Sequence, residues 1–240
     1  MRILITNDDS ISAKQLLPLI RYCRKFGEVT VSVPKYEQSG KSHGIELHQA
    51  FSVGKQFIDK DIEAYVVDST PADCVRFAVL GLGIKFDLVI SGVNRGFNMG
   101  TDVTYSGTIA GVREAMLQRI PAIALSTSPE NYDNAVKDLD MVFDYIFGGK
   151  LLEKHGAYNI NIPPNPKGIR ITRQGSTYYT DSFVEVAEGM YKVMGECVYR
   201  PSGDLTLDTD SVTSGYISVM PITTDITDKE IFSKLTGAAE

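Results

Sequence analysis

The sequence has few cysteines and histidines, and their spacing fits neither a disulfide network nor a zinc site. The three cysteines are odd in number, widely spaced and without a CxxC pair: Cys23, Cys74 and Cys197. This arrangement excludes a network of disulfides and predicts reduced thiols that are mostly buried. The three histidines are too scattered along the chain to predict a zinc site.

The sequence also lacks a net positive charge and a long apolar run. Its 24 Lys and Arg against 30 Asp and Glu give a net charge of −6. A general affinity for nucleic acid polymers, which needs clustered Lys and Arg, is therefore not expected. No apolar run is long enough to cross a bilayer, and no charged leader with an apolar segment precedes the first predicted strand. We therefore expect a cytoplasmic protein that binds no membrane.

Strands alternate with helices over the first 150 residues. Apolar, β-branched runs predict buried strands at 2–6, 29–33, 64–68, 86–91 and 121–126. Apolar periodicity and capping residues predict helices at 12–26, 71–82, 109–119 and 131–147. This alternation is typical of an α/β fold whose parallel sheet is covered on both faces. Right-handed crossovers then place the first four strand ends on one edge, at Thr6, Val33, Asp68 and Ser91.

Beyond residue 158 the pattern changes to shorter alternating strands, at 158–162, 169–172 and 215–220. Among them, 183–187 and 191–194 flank Glu188-Gly189-Met190, which predicts a β-hairpin. An exposed hairpin late in a chain is either an arm for assembly or an element packed on its own chain, and the sequence leaves both open. The length allows one large domain or two small ones.

The first predicted strand ends at an acidic turn, Asn7-Asp8-Asp9-Ser10. Adjacent carboxylates repel each other, and a bound cation relieves that repulsion. Ligands of open α/β sheets bind in the crevice outside the carboxyl ends of the strands. Taken alone, the turn is more typical of turn chemistry and a helix N-cap, and a metal site is the alternative that the polar loops at the same sheet edge favour. Ser39, in the loop 35–43, is a further oxygen ligand if the first two strands are neighbours.

Two polar segments follow the predicted strand 86–91. The segment 92–102 combines three glycines with Asn94 and Asn98. Asn94 supplies a neutral oxygen that suits an ion site, whereas Asn98 and backbone amides suit an anion. The segment 104–108 opens a helix, and a helix N-terminus beside hydroxyl groups suits a phosphate. An ordinary turn, and simple capping by Ser106 or Thr108, are the alternatives.

The sequence motifs of other common α/β enzymes are absent or incomplete in this sequence. The segment 38–42 resembles the end of a P-loop, but Lys35 stands where the first glycine is needed, so an ATPase is excluded. No GxGxxG follows the first strand, and there is no GxSxG elbow. A dinucleotide cofactor and a serine nucleophile of the α/β-hydrolase kind are therefore not expected.

Taken in order along the chain, these segments resemble the SurE family (survival protein E). The matching segments run from one end to the other: Ile3-Leu-Ile-Thr-Asn-Asp-Asp9, Glu37-Gln-Ser-Gly40, Ser69-Thr-Pro-Ala-Asp-Cys-Val75, Ser91-Gly-Val-Asn-Arg-Gly-Phe-Asn-Met-Gly100, Tyr105-Ser-Gly-Thr108, Tyr158-Asn-Ile-Asn-Ile-Pro163, Ile171-Thr-Arg-Gln-Gly175 and Gly215-Tyr-Ile-Ser-Val-Met-Pro221. Three positions depart from the usual family residues, since Ser10 and Ser69 replace glycine and Met220 replaces threonine.

The resemblance implies a Rossmann-like, three-layer α/β sandwich with a mostly parallel sheet and a C-terminal β-hairpin extension used in oligomerisation. We expect one domain, 1–240, with a core at 1–150 and C-terminal strands and a hairpin arm at 151–240. The resemblance further implies a metal-dependent 5′-nucleotidase that releases nucleoside and phosphate from nucleoside 5′-monophosphates. Family members often act on 3′-monophosphates and some on short polyphosphate, and those resembling this chain form homodimers or homotetramers.

The resemblance also implies the site residues. The expected metal ligands match four oxygen-bearing positions of the family: Asp8, Asp9, Ser39 and Asn94. Such a set suits one Mg²⁺ or Mn²⁺ per subunit, with Co²⁺ as an alternative. Two expected phosphate-binding residues match the family, Asn98 and Ser106. Two more follow at the helix start, Gly107 and Thr108. The expected catalytic residues come from both groups: Asp8, Asp9, Asn98 and Ser106.

The sequence leaves one mechanistic choice and two other functions open. Either aspartate of the acidic turn is able to orient an attacking water. A non-catalytic nucleotide- or metal-binding module predicts binding of AMP without turnover. A different α/β hydrolase or transferase predicts another substrate in the same crevice. A phosphate-release assay with and without EDTA, on a panel of phosphate esters, separates these functions.

Overall fold

The computed structural model describes residues 1–237, which form a nine-stranded sheet, a separate two-stranded hairpin and surrounding helices. The strands are β1 (Arg2–Thr6), β2 (Glu28–Pro34), β3 (Val53–Asp59), β4 (Ile62–Val67), β5 (Leu88–Arg95), β6 (Ala122–Thr127), β7 (Ala157–Ile162), β8 (Ile169–Ile171), β9 (Tyr179–Ala187), β10 (Met190–Cys197) and β11 (Ile217–Pro221). The α-helices are α1 (Leu16–Cys23), α2 (Pro71–Arg76), α3 (Gly107–Leu117), α4 (Leu139–Phe143), α5 (Leu151–Lys154), α6 (Asp208–Thr213) and α7 (Lys229–Thr236).

The sheet has the strand order β3-β4-β2-β1-β5-β6-β7-β11-β8. The strands from β4 to β7 in this order are parallel, whereas β3 and β11 run antiparallel to their neighbours β4 and β7. The predicted α/β fold with a mostly parallel sheet is therefore confirmed. The chain builds β2 and β4 on one side of β1 and then returns to add β5 on the other. This reversal opens a crevice at the carboxyl end of β1, the usual ligand position in such sheets.

The core lies on both faces of the sheet, as the sequence predicts. Alternate residues of β1 point to opposite faces, so Ile3 and Ile5 join one apolar cluster and Leu4 joins the other. The first cluster includes α1 and α4 and contains the buried ring of Phe143. The second cluster packs against α2 and α3, where Val112 is buried. Two packed layers around β1 hold its carboxyl end, and the acidic turn that follows, in a fixed position.

The predicted helix start at Pro71 is confirmed. The Thr70 hydroxyl accepts the Asp73 N–H at 3.2 Å, and Pro71 occupies the first helical position. The predicted helix to about Leu82 is shorter, because the helix changes to a wider π turn over Phe77–Gly81. Helix α1 begins only at Leu16, which places Pro18 in its first turn, where proline is tolerated.

The single helix predicted at 131–147 is wrong. Ser128 accepts the Asn131 N–H and begins a short 3₁₀ segment, Pro129–Asn134. Helix α4 begins only at Leu139, and a π turn over Asp144–Gly148 follows it. The apolar residues of these short pieces still face the core, so their spacing resembles that of one continuous amphipathic helix.

The C-terminal third contains the predicted hairpin and several elements that the sequence pattern did not reveal. Strands β9 and β10 are longer than the predicted 183–187 and 191–194, and every residue of both strands is exposed. The edge strand β3 and the helices α5, α6 and α7 were not predicted. Within residues 1–237, no helix is long and apolar enough to cross a membrane.

Candidate metal and phosphate site

The acidic turn leaves β1 directly beneath the first turn of α3. Asp8 is buried, and its carboxylate accepts a hydrogen bond from the Thr108 hydroxyl at 2.6 Å. Gly107 lies against the same side chain, since a Cβ atom added at Gly107 would come within 2.8 Å of Asp8 Cβ. The helix N-terminus and its hydroxyl therefore fix the first carboxylate, and the close approach requires glycine at position 107.

Asp9 is half-buried and faces the crevice beside Asp8. Its carboxylate accepts the Arg95 backbone N–H at 3.1 Å, which joins the turn to the end of β5. Burial, together with the Asp8 carboxylate, raises the pKa of Asp9 to about 6. Burial also raises the pKa of Asp8, against the lowering effect of the Thr108 hydrogen bonds. The chain thus holds two carboxyl groups side by side at an electrostatic cost that a cation would relieve.

The loop after β2 comes beside the acidic turn, as predicted for neighbouring strands. The Gln38 N–H donates to the Asp8 backbone oxygen at 2.8 Å. The Ser39 hydroxyl donates to the Glu37 carboxylate at 2.8 Å and keeps its oxygen lone pairs free for another partner. Glu37 was not a predicted site residue, although its negative charge contributes to the raised pKa values of Asp8 and Asp9. The sign in the sequence that Glu37 belongs to the site was its position two residues before the predicted ligand Ser39.

Contacts with α2 and α3 hold this loop over the crevice. His43 Nε2 lies 3.0 Å from a carboxylate oxygen of Glu114, which is a buried residue of α3. The Ser42 N–H donates to the Tyr105 carbonyl at 3.0 Å. Farther along, the Thr70 hydroxyl donates to the Gly44 carbonyl at 2.7 Å. The loop that carries Ser39 is therefore anchored by polar contacts to Glu114 of α3 and to residues just before α2 and α3.

Asn94 belongs to the end of β5, which continues past the predicted end at Ser91 as far as Arg95. Its Nδ2 donates to the Gly96 carbonyl at 2.8 Å, and its Oδ1 accepts no hydrogen bond from residues 1–237. Gly92 has a φ of +131°, and a Cβ atom there would come within 2.3 Å of the Leu125 carbonyl oxygen. A glycine is required at this position for β5 to carry Asn94 to the sheet edge.

Asn98 is clamped by two asparagines of β7 that the sequence reasoning missed. Its backbone N–H donates to Asn161 Oδ1 at 2.8 Å, and its carbonyl accepts from Asn159 at 2.7 Å and Asn161 at 2.8 Å. Its own side-chain nitrogen donates to the Ser126 hydroxyl at 2.8 Å. Because the amide nitrogen carries two hydrogens, Asn98 retains a second donor for an incoming oxygen.

The start of α3 has the predicted cap. The Ser106 hydroxyl oxygen accepts the Ile109 N–H at 3.1 Å, so capping by Ser106 is realised. Its hydroxyl hydrogen has no acceptor in the described part of the chain, so Ser106 is able both to cap the helix and to donate to a ligand. The Thr108 side chain is completely buried and is directed at Asp8.

A cavity of about 400 Å³ opens at the acidic turn and the Ser39 loop, and Asn94, Asn98 and Ser106 are not in its walls. Its walls include Asp9 and Ser39 of the predicted metal ligands and three residues that were not predicted: Glu37, Arg95 and Tyr132. Asp8 lies behind this cavity, below the surface. The exposed side of the acidic turn is therefore Asp9, and a ligand entering the cavity meets that carboxylate first.

The family model described as survival protein SurE matches residues 3–181 of the chain. The chain belongs to the SurE family. It is 38% identical to the protein named 5′-nucleotidase SurE of Thermosipho africanus, over 98% of this chain and 96% of that protein. It is 39% identical to the protein of the same name from Thermosipho melanesiensis, over the same shares. The solved structure of the SurE protein from Aquifex aeolicus superposes with a TM-score of 0.76, at 29% identity and over 99% of both chains.

Two residues that depart from the usual SurE pattern occupy defined positions. Ser10 has a φ of +72°, in the left-handed region that favours the glycine it replaces. Its backbone carbonyl accepts the Asn7 side chain at 3.0 Å, so the turn keeps its shape. The Ser69 hydroxyl donates to Asp73 at 2.5 Å beside the capped start of α2. Neither change removes a candidate ligand from this SurE chain.

The residues at the acidic turn fit a hard divalent cation. They offer two carboxylates, one hydroxyl and one amide oxygen, which is the oxygen chemistry that Mg²⁺ and Mn²⁺ prefer. Next to Asp8, the buried Asn7 Oδ1 has no hydrogen-bond donor within residues 1–237. The described chain contains no group of three or more His, Cys, Asp or Glu placed to hold a metal. The fit of this SurE site to a cation thus depends on neutral oxygens joining the acidic pair.

Proposed function

We propose that the chain is a metal-dependent 5′-nucleotidase that hydrolyses nucleoside 5′-monophosphates to nucleoside and phosphate. One observation carries this proposal: the Asp8 carboxylate of the acidic turn is held by the Thr108 hydroxyl at the N-terminus of α3, at the sheet edge where β1 ends. It is supported by 37–39% identity, over 96% of their length, to three proteins named 5′-nucleotidase SurE. The SurE family is metal-dependent, and the arrangement of oxygen donors fits that requirement.

The residues that would hold the cation are Asp8, Asp9, Ser39 and Asn94. They would hold one ion per subunit, with Mg²⁺ or Mn²⁺ favoured by the all-oxygen set and Co²⁺ as an alternative. When bound, such an ion polarises a phosphoryl oxygen and makes a nearby water more acidic. Thr108 contributes by holding Asp8, and the Arg95 N–H contributes by holding Asp9.

Asn98, Ser106, Gly107 and Thr108 form the phosphate end of the proposed site. The free amide hydrogen of Asn98 and the free hydroxyl hydrogen of Ser106 donate to phosphoryl oxygens, and the α3 amides add positive potential. Asp9 lines the cavity, whereas Asp8 is buried behind it, so we assign to Asp9 the orientation of the attacking water. Negative charge that develops on the phosphoryl group is then stabilised by hydrogen-bond donors that the fold already holds in place.

The proposed substrates include 3′-monophosphates and short polyphosphate besides 5′-monophosphates. We expect phosphate release from AMP with Mg²⁺ or Mn²⁺, its loss with EDTA, and its return when the metal is restored in excess. The assay compares AMP, 3′-AMP, a sugar phosphate and tripolyphosphate by initial rates of phosphate release. AMP binding without turnover would instead identify a binding module, and a strong preference for sugar phosphates would identify another hydrolase.

The chain is also proposed to form one domain and to assemble through its hairpin. Strands β7, β8 and β11 complete the same sheet as the strands of residues 1–150, which supports a single domain; residues 238–240 of the expected 1–240 lie outside the described residues. The hairpin exposes paired apolar side chains such as Phe183 and Val193, which are 70% and 49% exposed. A hairpin that exposes apolar side chains and leaves its outer edges unpaired is a site for association.

Replacing both Phe183 and Val193 with glutamate is expected to convert a homodimer or homotetramer into a smaller species. The charges would face each other across the hairpin and would have to be buried in any interface there. Light scattering coupled to size-exclusion chromatography measures the mass. Leu47→Glu, at an exposed position of a loop, is the control and is expected to leave the mass unchanged. An unchanged mass for the double variant would place the interface elsewhere.

A further inference from the structure

A second cavity, of about 420 Å³, lies along α3. Its walls come from the turn before α3, from α3 itself, and from the segments at the ends of β8 and β11. This volume is within the range of small-molecule sites, about 300–1,000 Å³. Among the described residues, the second cavity shares no lining residue with the cavity of Asp9 and Ser39, and none of the proposed metal ligands or phosphate-binding residues lines it. A ligand in the second cavity would therefore be separate from the proposed substrate.

Arg113 brings to this cavity a positive charge that has no partner. It follows Ile109 by one helical turn, so both side chains lie on the same side of α3 and line the cavity. Arg113 is partly buried, its Nε is enclosed without a hydrogen bond, and its guanidinium forms no ion pair within residues 1–237. A partly buried charge without a counter-charge lowers stability, because it loses hydration and gains no attraction in return. An anion bound in the cavity would supply that attraction.

The two other charged residues of the lining already have partners. Arg173 donates to Asp204 at 2.8 Å, and the Asp225 carboxylate lies 3.4 Å from the Lys229 amino group. The charge left to balance is therefore that of Arg113. Asp204 and Asp225 would repel a second negative charge on a ligand. A carboxylate carries one charge, whereas a phosphate monoester carries about 1.5 to 2 near neutral pH, so the cavity favours a carboxylate.

The apolar part of the lining includes Met220, the position at which this chain departs from the usual SurE threonine. Met220 and Ile109 are only 4% and 5% exposed, and Val103 and Ile222 pack against the second apolar cluster. The flexible thioether of methionine adapts to irregular apolar shapes. The departure from threonine thus makes the cavity of this chain more apolar, and the lining suits the hydrocarbon part of a ligand.

We propose that the second cavity binds a small monocarboxylic acid in its ionised form, with the carboxylate on the Arg113 guanidinium. A planar guanidinium matches a carboxylate through two parallel hydrogen bonds. The hydrocarbon part of the ligand lies against Ile109 and Met220. The site needs no metal and is independent of the proposed nucleotidase function, so binding is expected with EDTA present.

Calorimetric titration with hexanoate, in the presence of EDTA, tests the charged half of this site. The wild type is expected to bind hexanoate, and Arg113→Met to bind it at least about tenfold more weakly, the size of one lost charge-assisted hydrogen bond. Arg119→Met is the matched control, because Arg119 is exposed just beyond the end of α3 and does not line the cavity. The affinity of this control should stay within about twofold of the wild type, as for an ordinary surface substitution.

Met220→Thr tests the apolar half of the site. The change restores the usual family residue and should weaken hexanoate binding by about fourfold, as for the loss of one buried methylene. Hexyl phosphate is the comparison for ligand charge, and it should bind the wild type less tightly than hexanoate does. A thermal melt of each variant without ligand checks its folding. Arg113→Met should melt at or above the wild-type temperature, since it removes an unpaired charge.

The site would be overturned by a wild type that does not bind hexanoate, or by equal hexanoate binding in Arg113→Met. Tighter binding of hexyl phosphate than of hexanoate would overturn the assignment to a carboxylate, and unchanged binding in Met220→Thr would contradict the placement of the hydrocarbon part. A lower melting temperature of Arg113→Met would show that Arg113 already has a counter-charge, such as a carboxylate of a second copy, and would also contradict the site. None of these results bears on phosphate release from AMP, which tests the proposed function separately.

Discussion

Replacing Asp9 with asparagine is expected to lower the metal-dependent release of phosphate from AMP by at least about 100-fold, as for the loss of one preorganised transition-state group. Asparagine keeps the shape of the side chain and an oxygen for the Arg95 N–H, which lies 3.1 Å from the carboxylate. It removes the negative charge that holds a divalent cation and the anionic oxygen that orients water. The measurement is the initial rate of phosphate release with saturating Mg²⁺ or Mn²⁺, beside a thermal melt of each variant.

The matched control for this change is Asp133→Asn. Asp133 lines the same cavity, but its side chain is 75% exposed and lies 3.8 Å from the exposed Lys14. An exposed ion pair of this kind contributes little, so the rate should stay within about twofold of the wild type. Unchanged turnover in Asp9→Asn would exclude the acidic turn from catalysis. Equal losses in both variants would point to the general charge of the cavity instead of a specific ligand.

Replacing Gly107 with alanine is the second change with a large expected effect. The new methyl group would lie 2.8 Å from Asp8 Cβ and 3.0 Å from Asp8 Oδ2, so either the carboxylate or the start of α3 must move. Overpacking of this kind costs about 1–3 kcal/mol of stability. Because the change displaces both a proposed ligand and a phosphate-facing amide, Mn²⁺ affinity should fall by at least about tenfold. Calorimetric titration with Mn²⁺ and urea unfolding give the two quantities.

Gly148→Ala is the control for the glycine change. A Cβ atom at Gly148 meets nothing within 4 Å, and this residue lies at the end of the π turn, far along the chain from the site. Its stability should change by less than about 1 kcal/mol, and its Mn²⁺ affinity should equal that of the wild type. Wild-type Mn²⁺ affinity in Gly107→Ala would show that the contact with Asp8 does not determine the position of the ligand.

The ends of β1, β2 and β4 were predictable to within one residue, because apolar strands and polar turns differ sharply in composition. The run Arg2–Thr6 followed by Asn7 and two aspartates identifies both a buried strand and the turn at its carboxyl end. Parallel pairing of β1 with β2 and β5 then brings their ends to one edge. The approach of the Ser39 loop to Asp8 follows from the same pairing and needs no knowledge of side chains.

The contacts that hold the site together were less predictable, because they join residues far apart in the chain. Asn159 and Asn161 occupy alternate positions of a completely buried strand, and polar residues there must find partners. Their alternation was visible in the sequence, but their partner, the backbone of Asn98, lies about sixty positions away and was not. The predicted helix at 131–147 was wrong for a related reason. The spacing of its apolar residues shows which side of the segment is buried, but not whether the backbone forms one continuous helix.

The most direct test of the proposed metal site is the anomalous diffraction of a crystal grown with Mn²⁺. We predict one strong Mn²⁺ peak per subunit, within coordination distance of oxygens from Asp8, Asp9 and Asn94 and facing the Ser39 hydroxyl. Asp9→Asn, crystallised in the same way, should lose or weaken this peak. A strong Mn²⁺ peak elsewhere in the chain, with none at the acidic turn, would contradict the proposed site.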